Sequence, residues 1–156
     1  MTRHVGRPRT IARHPHRQAP IHGLLYPAYG PLVRGRLLGP DGEATDGLVL
    51  VDTGASMSAV DRDLARALRL PTHGAATWRA IGGDPHAVAA LRRARLELQP
   101  DRRHWELDLI EVADLRSRIE GYTLVALLGW DFLDQCKLTI DGPSRTFHLE
   151  LPRSPG

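Results

Sequence analysis

The chain has 156 residues, 42% of them hydrophobic, with 21 Lys and Arg against 18 Asp and Glu and a formal net charge of +3. That length holds one domain with its own core but not two full lobes, and no apolar run approaches the roughly 20 residues of a membrane helix. The single cysteine, Cys136, excludes an intrachain disulfide, which suits a reducing, cytoplasmic compartment.

Residues 1–22 differ from the rest of the chain. They carry Arg3, Arg7, Arg9, Arg13 and Arg17, several His and three Pro within the first twenty positions, with few apolar residues. This composition predicts a disordered basic tail. It lacks the apolar stretch of a secretory signal. His4, His14, His16 and His22 sit on no fixed scaffold, so no metal is expected there.

The domain is expected over 23–152, followed by a short tail at 153–156. Its first strands fall near Leu32–Leu38 and Gly47–Val51, joined by a Gly- and Asp-rich turn from Gly39 to Asp46. The second strand runs as Leu48-Val49-Leu50-Val51 straight into Asp52-Thr53-Gly54-Ala55-Ser56. Four apolar residues predict a buried strand, and Asp-Thr-Gly predicts the tight loop at its end. A carboxylate placed there is partly desolvated yet within reach of a substrate.

Ser58 to Leu70 reads as an amphipathic helix. Ser58 is its expected N-cap, Leu64, Ala67 and Leu68 its apolar stripe, and Pro71 its stop. Two strand-like runs, Thr77–Ile81 and His86–Ala89, flank Gly82-Gly83-Asp84, a hairpin signal. Further strands are expected at Val88–Leu98, Trp105–Val112, Thr123–Leu128, Lys137–Ile140 and Thr146–Leu149, with a short helix at Trp130–Asp134. Cys136 is expected to be a buried structural thiol inside a strand. The basic clusters Arg92-Arg93-Ala94-Arg95 and Arg102-Arg103-His104 read as solvated faces, with a preference for acidic substrates as the functional alternative. Asp131 is expected to cap the short helix or pair with an Arg. Many short strands with turn signals give a mostly β fold, a closed barrel with one amphipathic helix and a short C-terminal helix. No internal repeat is evident.

An apolar strand entering Asp52-Thr53-Gly54-Ala55, then the run Leu124-Val125-Ala126-Leu127-Leu128-Gly129-Trp130-Asp131-Phe132-Leu133 and a strand ending Thr139-Ile140-Asp141, resembles the retropepsin-like (retroviral-type) aspartic proteases. The likeness is to the bacterial single-domain members of this branch of the pepsin-like clan, and it spans roughly Pro31 to Leu151. It implies an acid-protease β-barrel and peptide-bond hydrolysis by two carboxyl groups that share one proton. One takes a proton from water, and the other polarises the substrate carbonyl. The chain has one Asp-Thr-Gly, so a working site requires a homodimer in which Asp52 meets its mate on a two-fold axis.

The resemblance also implies roles for the neighbours. Asp52, Thr53 and Gly54 form the catalytic loop, with Thr53 holding the two loops in register. Ala55 and Ser56 lie along the substrate, and Trp78, Ile81, Gly82 and Gly83 belong to a glycine-tipped flap. Ala55 lacks the hydroxyl usual at its position, which points to an optimum nearer about pH 5–6 than pepsin's. Trp130-Asp131 stands where retroviral enzymes carry an Arg-Asn pair that stabilises the dimer, so dimer contacts must differ. The expected function is a homodimeric aspartic endopeptidase with no cofactor and no metal. Its partners are a second copy and a peptide or protein substrate, with neither membrane nor nucleic acid expected. One alternative is a catalytically weak retropepsin-like module for peptide binding or assembly. Another is a nucleic-acid-associated protein acting through its basic tail, whose binding would be salt-dependent.

Overall fold

The computed structural model describes residues 19–78, 87–100, 102–115 and 118–151. In chain order they form β1 (Ile21–Tyr26), β2 (Gly30–Leu38), β3 (Ala44–Val51), β4 (Ala59–Asp61), α1 (Arg62–Ala67), β5 (Thr72–Thr77), β6 (Val88–Leu98), β7 (Arg103–Val112), β8 (Arg118–Ile119), β9 (Tyr122–Leu128), α2 (Trp130–Leu133), β10 (Lys137–Asp141) and β11 (Thr146–Glu150). The fold is mostly β, as the alternation of short apolar runs and turn signals predicts.

Two long antiparallel ladders organise the sheet. β2 runs against β3 from Leu32–Leu50 to Leu38–Ala44 and β6 against β7 from Leu91–Ile110 to Leu98–Arg103, while a shorter ladder joins β1 to β11. The other edge of β2 serves two strands. Its first residues pair with β1 and its last, Gly35–Leu38, with β6. The ladder β2-β3-β9-β4-β7-β6 therefore returns from β6 to β2. Two parallel pairings inside it fix the site. β3 lies beside β9, with Val51 opposite Leu128, and β4 lies beside β7. Parallel neighbours need a long crossover, and the chain from β4 to β8 supplies it for β3 and β9. The loops that leave β3 at Asp52 and β9 at Gly129 consequently emerge side by side.

The core is mostly aliphatic, as the scarcity of aromatics requires. Leu37, Val49, Leu96, Leu109, Val125 and Phe147 are fully enclosed, and each large side chain so buried contributes about 1.5–3 kcal/mol. α2 is anchored by Phe132, whose ring meets Trp105 edge-on at 5.6 Å.

Several expectations are corrected. Ser58 does not cap a helix running to Leu70. Ala59-Val60-Asp61 is a strand, because Val60 is enclosed between neighbouring strands, and α1 covers only Arg62–Ala67. Asp61 is the cap, accepting from the Asp63 and Leu64 N–H groups at 2.9 and 3.3 Å. The helix is closed just beyond its C-cap Leu68 by Arg69, at φ 50, with Arg69 N–H donating to the Arg66 carbonyl and Leu70 N–H to the Ala65 carbonyl, the Schellman pattern with arginine in place of glycine. The apolar stripe is Leu64, Ala65 and Leu68, whereas Ala67 is exposed. β5, at Thr72–Thr77, ends where the strand expected over Thr77–Ile81 begins, and residues 79–81 of that strand lie outside the described residues. β1 begins at Ile21, which is buried, so paired structure starts before residue 23. Cys136 precedes β10 rather than lying inside it.

Candidate active site

β3 delivers Asp52 to the surface while keeping its base in the sheet. The Asp52 N–H still donates to the Leu128 carbonyl at 3.0 Å, so β3 and β9 hold each other to the point where the loop begins. The carboxylate is half-buried. Its Oδ1 accepts from the Gly54 N–H at 2.8 Å, and the Ala55 N–H closes the turn onto the Asp52 carbonyl at 3.2 Å. A Cβ at Gly54 would lie 3.1 Å from that Oδ1, so glycine permits the close approach on which the turn depends.

The second loop braces the first. The Trp130 indole N–H donates to the Thr53 carbonyl at 2.7 Å, and the Trp130 and Asp131 backbone N–H groups donate to the Ala55 and Ser56 carbonyls. Beneath these lies Ser58, 1% exposed. Its hydroxyl donates to Asp131 Oδ1 at 2.7 Å and accepts from the Gly129 N–H at 3.0 Å, while its N–H donates to the same Oδ1 at 2.8 Å. Asp131 does not cap α2, and among the described residues it pairs with no Arg. Gly129 takes the N-cap position without a side-chain bond. A Cβ on Gly129 would fall 2.5–2.8 Å from the Met57 backbone, so only glycine allows the loops this spacing.

A cavity of about 440 Å³ opens beside this constellation, lined by Asp52, Gly54, Ala55, Ser56 and Trp78 together with Met57, Ala59, Ile110, Val112, Ala113, Asp114, Leu115 and Leu127. Its walls are predominantly apolar, and among the described residues Asp52 and Asp114 are the only carboxylates on them. Such a lining suits an apolar side chain held next to a polar reacting group. Five of the residues expected to act here thus share one cavity. Thr53 is exposed and contributes its carbonyl to Trp130 instead. Gly82, Gly83 and Ile81 lie outside the described residues. The Trp78 N–H donates to the Ala87 carbonyl at 2.9 Å.

The basic clusters do not reach the cavity. Arg92 binds Glu111 at 2.6 Å, Arg93 binds Asp108 through two nitrogens, and Arg102 lies 3.6 Å from Glu97. Arg93 holds the Asp108 carboxyl below its usual range, assisted by His73. Arg93 and Arg95 line a separate cavity of about 230 Å³. Burial pushes the Cys136 thiol up to about 11, with Asp134 adding to the shift; its S–H points to the Phe132 carbonyl at 3.6 Å. Among the described residues no group of three or more His, Cys, Asp and Glu is placed to hold a metal ion, and no helix is long and apolar enough to cross a membrane.

Sequence reasoning missed the brace and most of the cavity wall. Ser58 looks like any helix cap, and its partner Asp131 lies far along the chain. Ile110 and Val112 are ordinary strand residues, marked by no motif. Asp114 follows β7 as a turn residue with nothing to distinguish it.

The family model described as Aspartyl protease matches residues 41–132. No curated protein sequence matches the chain. Among solved structures, a retropepsin-like aspartic protease from Rickettsia conorii superposes with a TM-score of 0.50 at 17% identity, over 83% of this chain and 89% of that one.

Proposed function

We propose a function from one premise: the chain belongs to the retropepsin-like aspartyl protease family. It is an aspartic endopeptidase that works as a homodimer. The observation that carries this reading is Asp52, a half-buried carboxylate braced by Gly54 at the mouth of an apolar cavity. One chain supplies one such carboxylate, and acid–base hydrolysis without metal needs two. Two Asp52 side chains brought together cannot both ionise, so they share a proton. The ionised member removes a proton from water. The protonated member donates to the substrate carbonyl as the tetrahedral intermediate forms.

Thr53 and Gly54 hold the loop, and the Trp130 and Ser58 contacts keep it from sagging into the cavity. The return of the ladder from β6 to β2 supports reading the sheet as a closed barrel, a stiff frame for the loop. The bond between Trp78 and Ala87 ties together the ends of the segment carrying Ile81, Gly82 and Gly83. That segment is assigned the role of a flap that excludes water over an extended peptide.

The test is digestion of a proteome-derived peptide mixture across about pH 4–7 by wild type and Asp52→Asn at high protein concentration. Cleavage by wild type alone is expected. No cleavage by a wild-type protein shown to be dimeric would leave a peptide-binding module and remove the enzyme.

A further inference from the structure

The cavity next to Asp52 is walled by apolar side chains, among them Met57, Ala59, Ile110, Val112 and Leu127, and among the described residues it carries one carboxylate besides Asp52. That carboxylate is Asp114, two residues beyond the end of β7. Its backbone is left-handed, at φ 59, a conformation that Asp and Asn tolerate better than most residues. Asp114 is exposed. Other acidic residues of this part of the sheet are committed: Glu111 to Arg62 and Arg92, Asp108 to Arg93 and His73. Among the described residues Asp114 takes part in no ion pair, and no Lys or Arg lines the cavity. Among the described residues the charge on the cavity wall is therefore negative, although the chain as a whole carries +3.

We propose that Asp114 is a specificity-determining residue, selecting peptides that carry Lys or Arg close to the apolar side chain that fills the Asp52 cavity. This rests on the peptide-cleavage reading above. A peptide whose scissile carbonyl meets Asp52 and whose neighbouring side chain enters the cavity passes the wall to which Asp114 belongs. A side chain two positions further along an extended strand returns to the same face about 7 Å away. A cation there meets a carboxylate beside low-dielectric walls, where its attraction is less screened than on open surface. The same charge repels acidic peptides, which discriminates in the opposite sense to the basic clusters on β6 and β7.

The experiment measures binding and cleavage separately. Positional-scanning decapeptide libraries with Lys, Gln or Glu at one fixed position are titrated onto the Asp52→Asn protein, which binds without hydrolysis. The Lys library is expected to bind about fivefold more tightly than the Gln library at one position near the apolar anchor, and the Glu library more weakly than both. The preference is expected to shrink in 1 M salt, since the Debye length falls to about 3 Å, and to vanish in Asp52→Asn/Asp114→Asn, an isosteric change that suits the left-handed backbone. Equal binding of Lys and Gln libraries, a preference that survives Asp114→Asn, or no binding of any library would overturn the proposal. The same libraries given to wild type separate the two ideas. A charge preference in binding without any cleavage removes the protease reading and leaves Asp114 as a selector. Cleavage without charge preference does the reverse.

Discussion

Replacing Ser58 by Ala tests the brace beneath the Asp52 loop. The hydroxyl is buried and makes two bonds, donating to Asp131 and accepting from the Gly129 N–H. Its removal leaves the Gly129 N–H enclosed without an acceptor, which costs about 1–3 kcal/mol. The lost bond to Asp131 costs less, about 1 kcal/mol, because that carboxylate is exposed to water and keeps the Ser58 N–H. Together the loss is about 3 kcal/mol. For a domain of this size each kcal/mol lowers Tm by about 2–4 °C, so a fall of about 6–12 °C is expected. Urea unfolding with a constant m-value measures the free energy directly. A double-mutant cycle with Asp131→Ala should return a coupling of at least about 0.5 kcal/mol, since the residues touch. A loss below about 0.5 kcal/mol for Ser58→Ala, the range of ordinary surface changes, would refute the brace.

Trp130→Phe keeps an aromatic ring but removes the N–H that holds the Thr53 carbonyl at 2.7 Å. Because Trp130 is half exposed, stability should change by less than about 1 kcal/mol, whereas kcat should fall about tenfold with KM little changed; a fall in stability with kcat intact would contradict the assignment. Cys136 should resist a disulfide reagent at pH 8, reacting at least about tenfold more slowly than in the unfolded chain, since the thiolate is the nucleophile. The unfolded thiol loses its proton near 9 and the folded one near 11, so this group favours folding below pH 9, and its contribution is lost as the pH rises towards 11. Equal reactivity of folded and unfolded chains would show that the thiol is not shielded.

The strands were legible wherever apolar runs ended in turn residues. Val88–Leu98 was readable to its ends, and Lys137–Ile140 and Thr146–Leu149 to within one residue. What failed shared one cause, that tertiary neighbours overrode a local pattern. Ser58-Ala59-Val60 has the polarity of a helix start, but β7 and β9 offered it strand partners, and Asp131 took the hydroxyl that would have capped the helix. β1 was hidden inside a stretch whose first half is basic and proline-rich, and its pairing with β11 joins the two ends of the domain, a contact no local window contains. Of the site, the strand-loop bearing Asp52 was visible because its chemistry is written in consecutive residues. The brace and the cavity wall were not, because their parts come from β4, β7, β9 and α2 and meet only after folding.

The claim on which all else depends is that one active site is built from two chains, each contributing Asp52. Mixing wild type with Asp52→Asn, with subunit exchange brought to equilibrium, tests it most directly. If a site needs both carboxylates, an equal mixture retains about one quarter of the wild-type activity per total protein, because only dimers of two wild-type subunits work. If the mixture retains about one half, each chain acts alone and the shared-proton account is wrong.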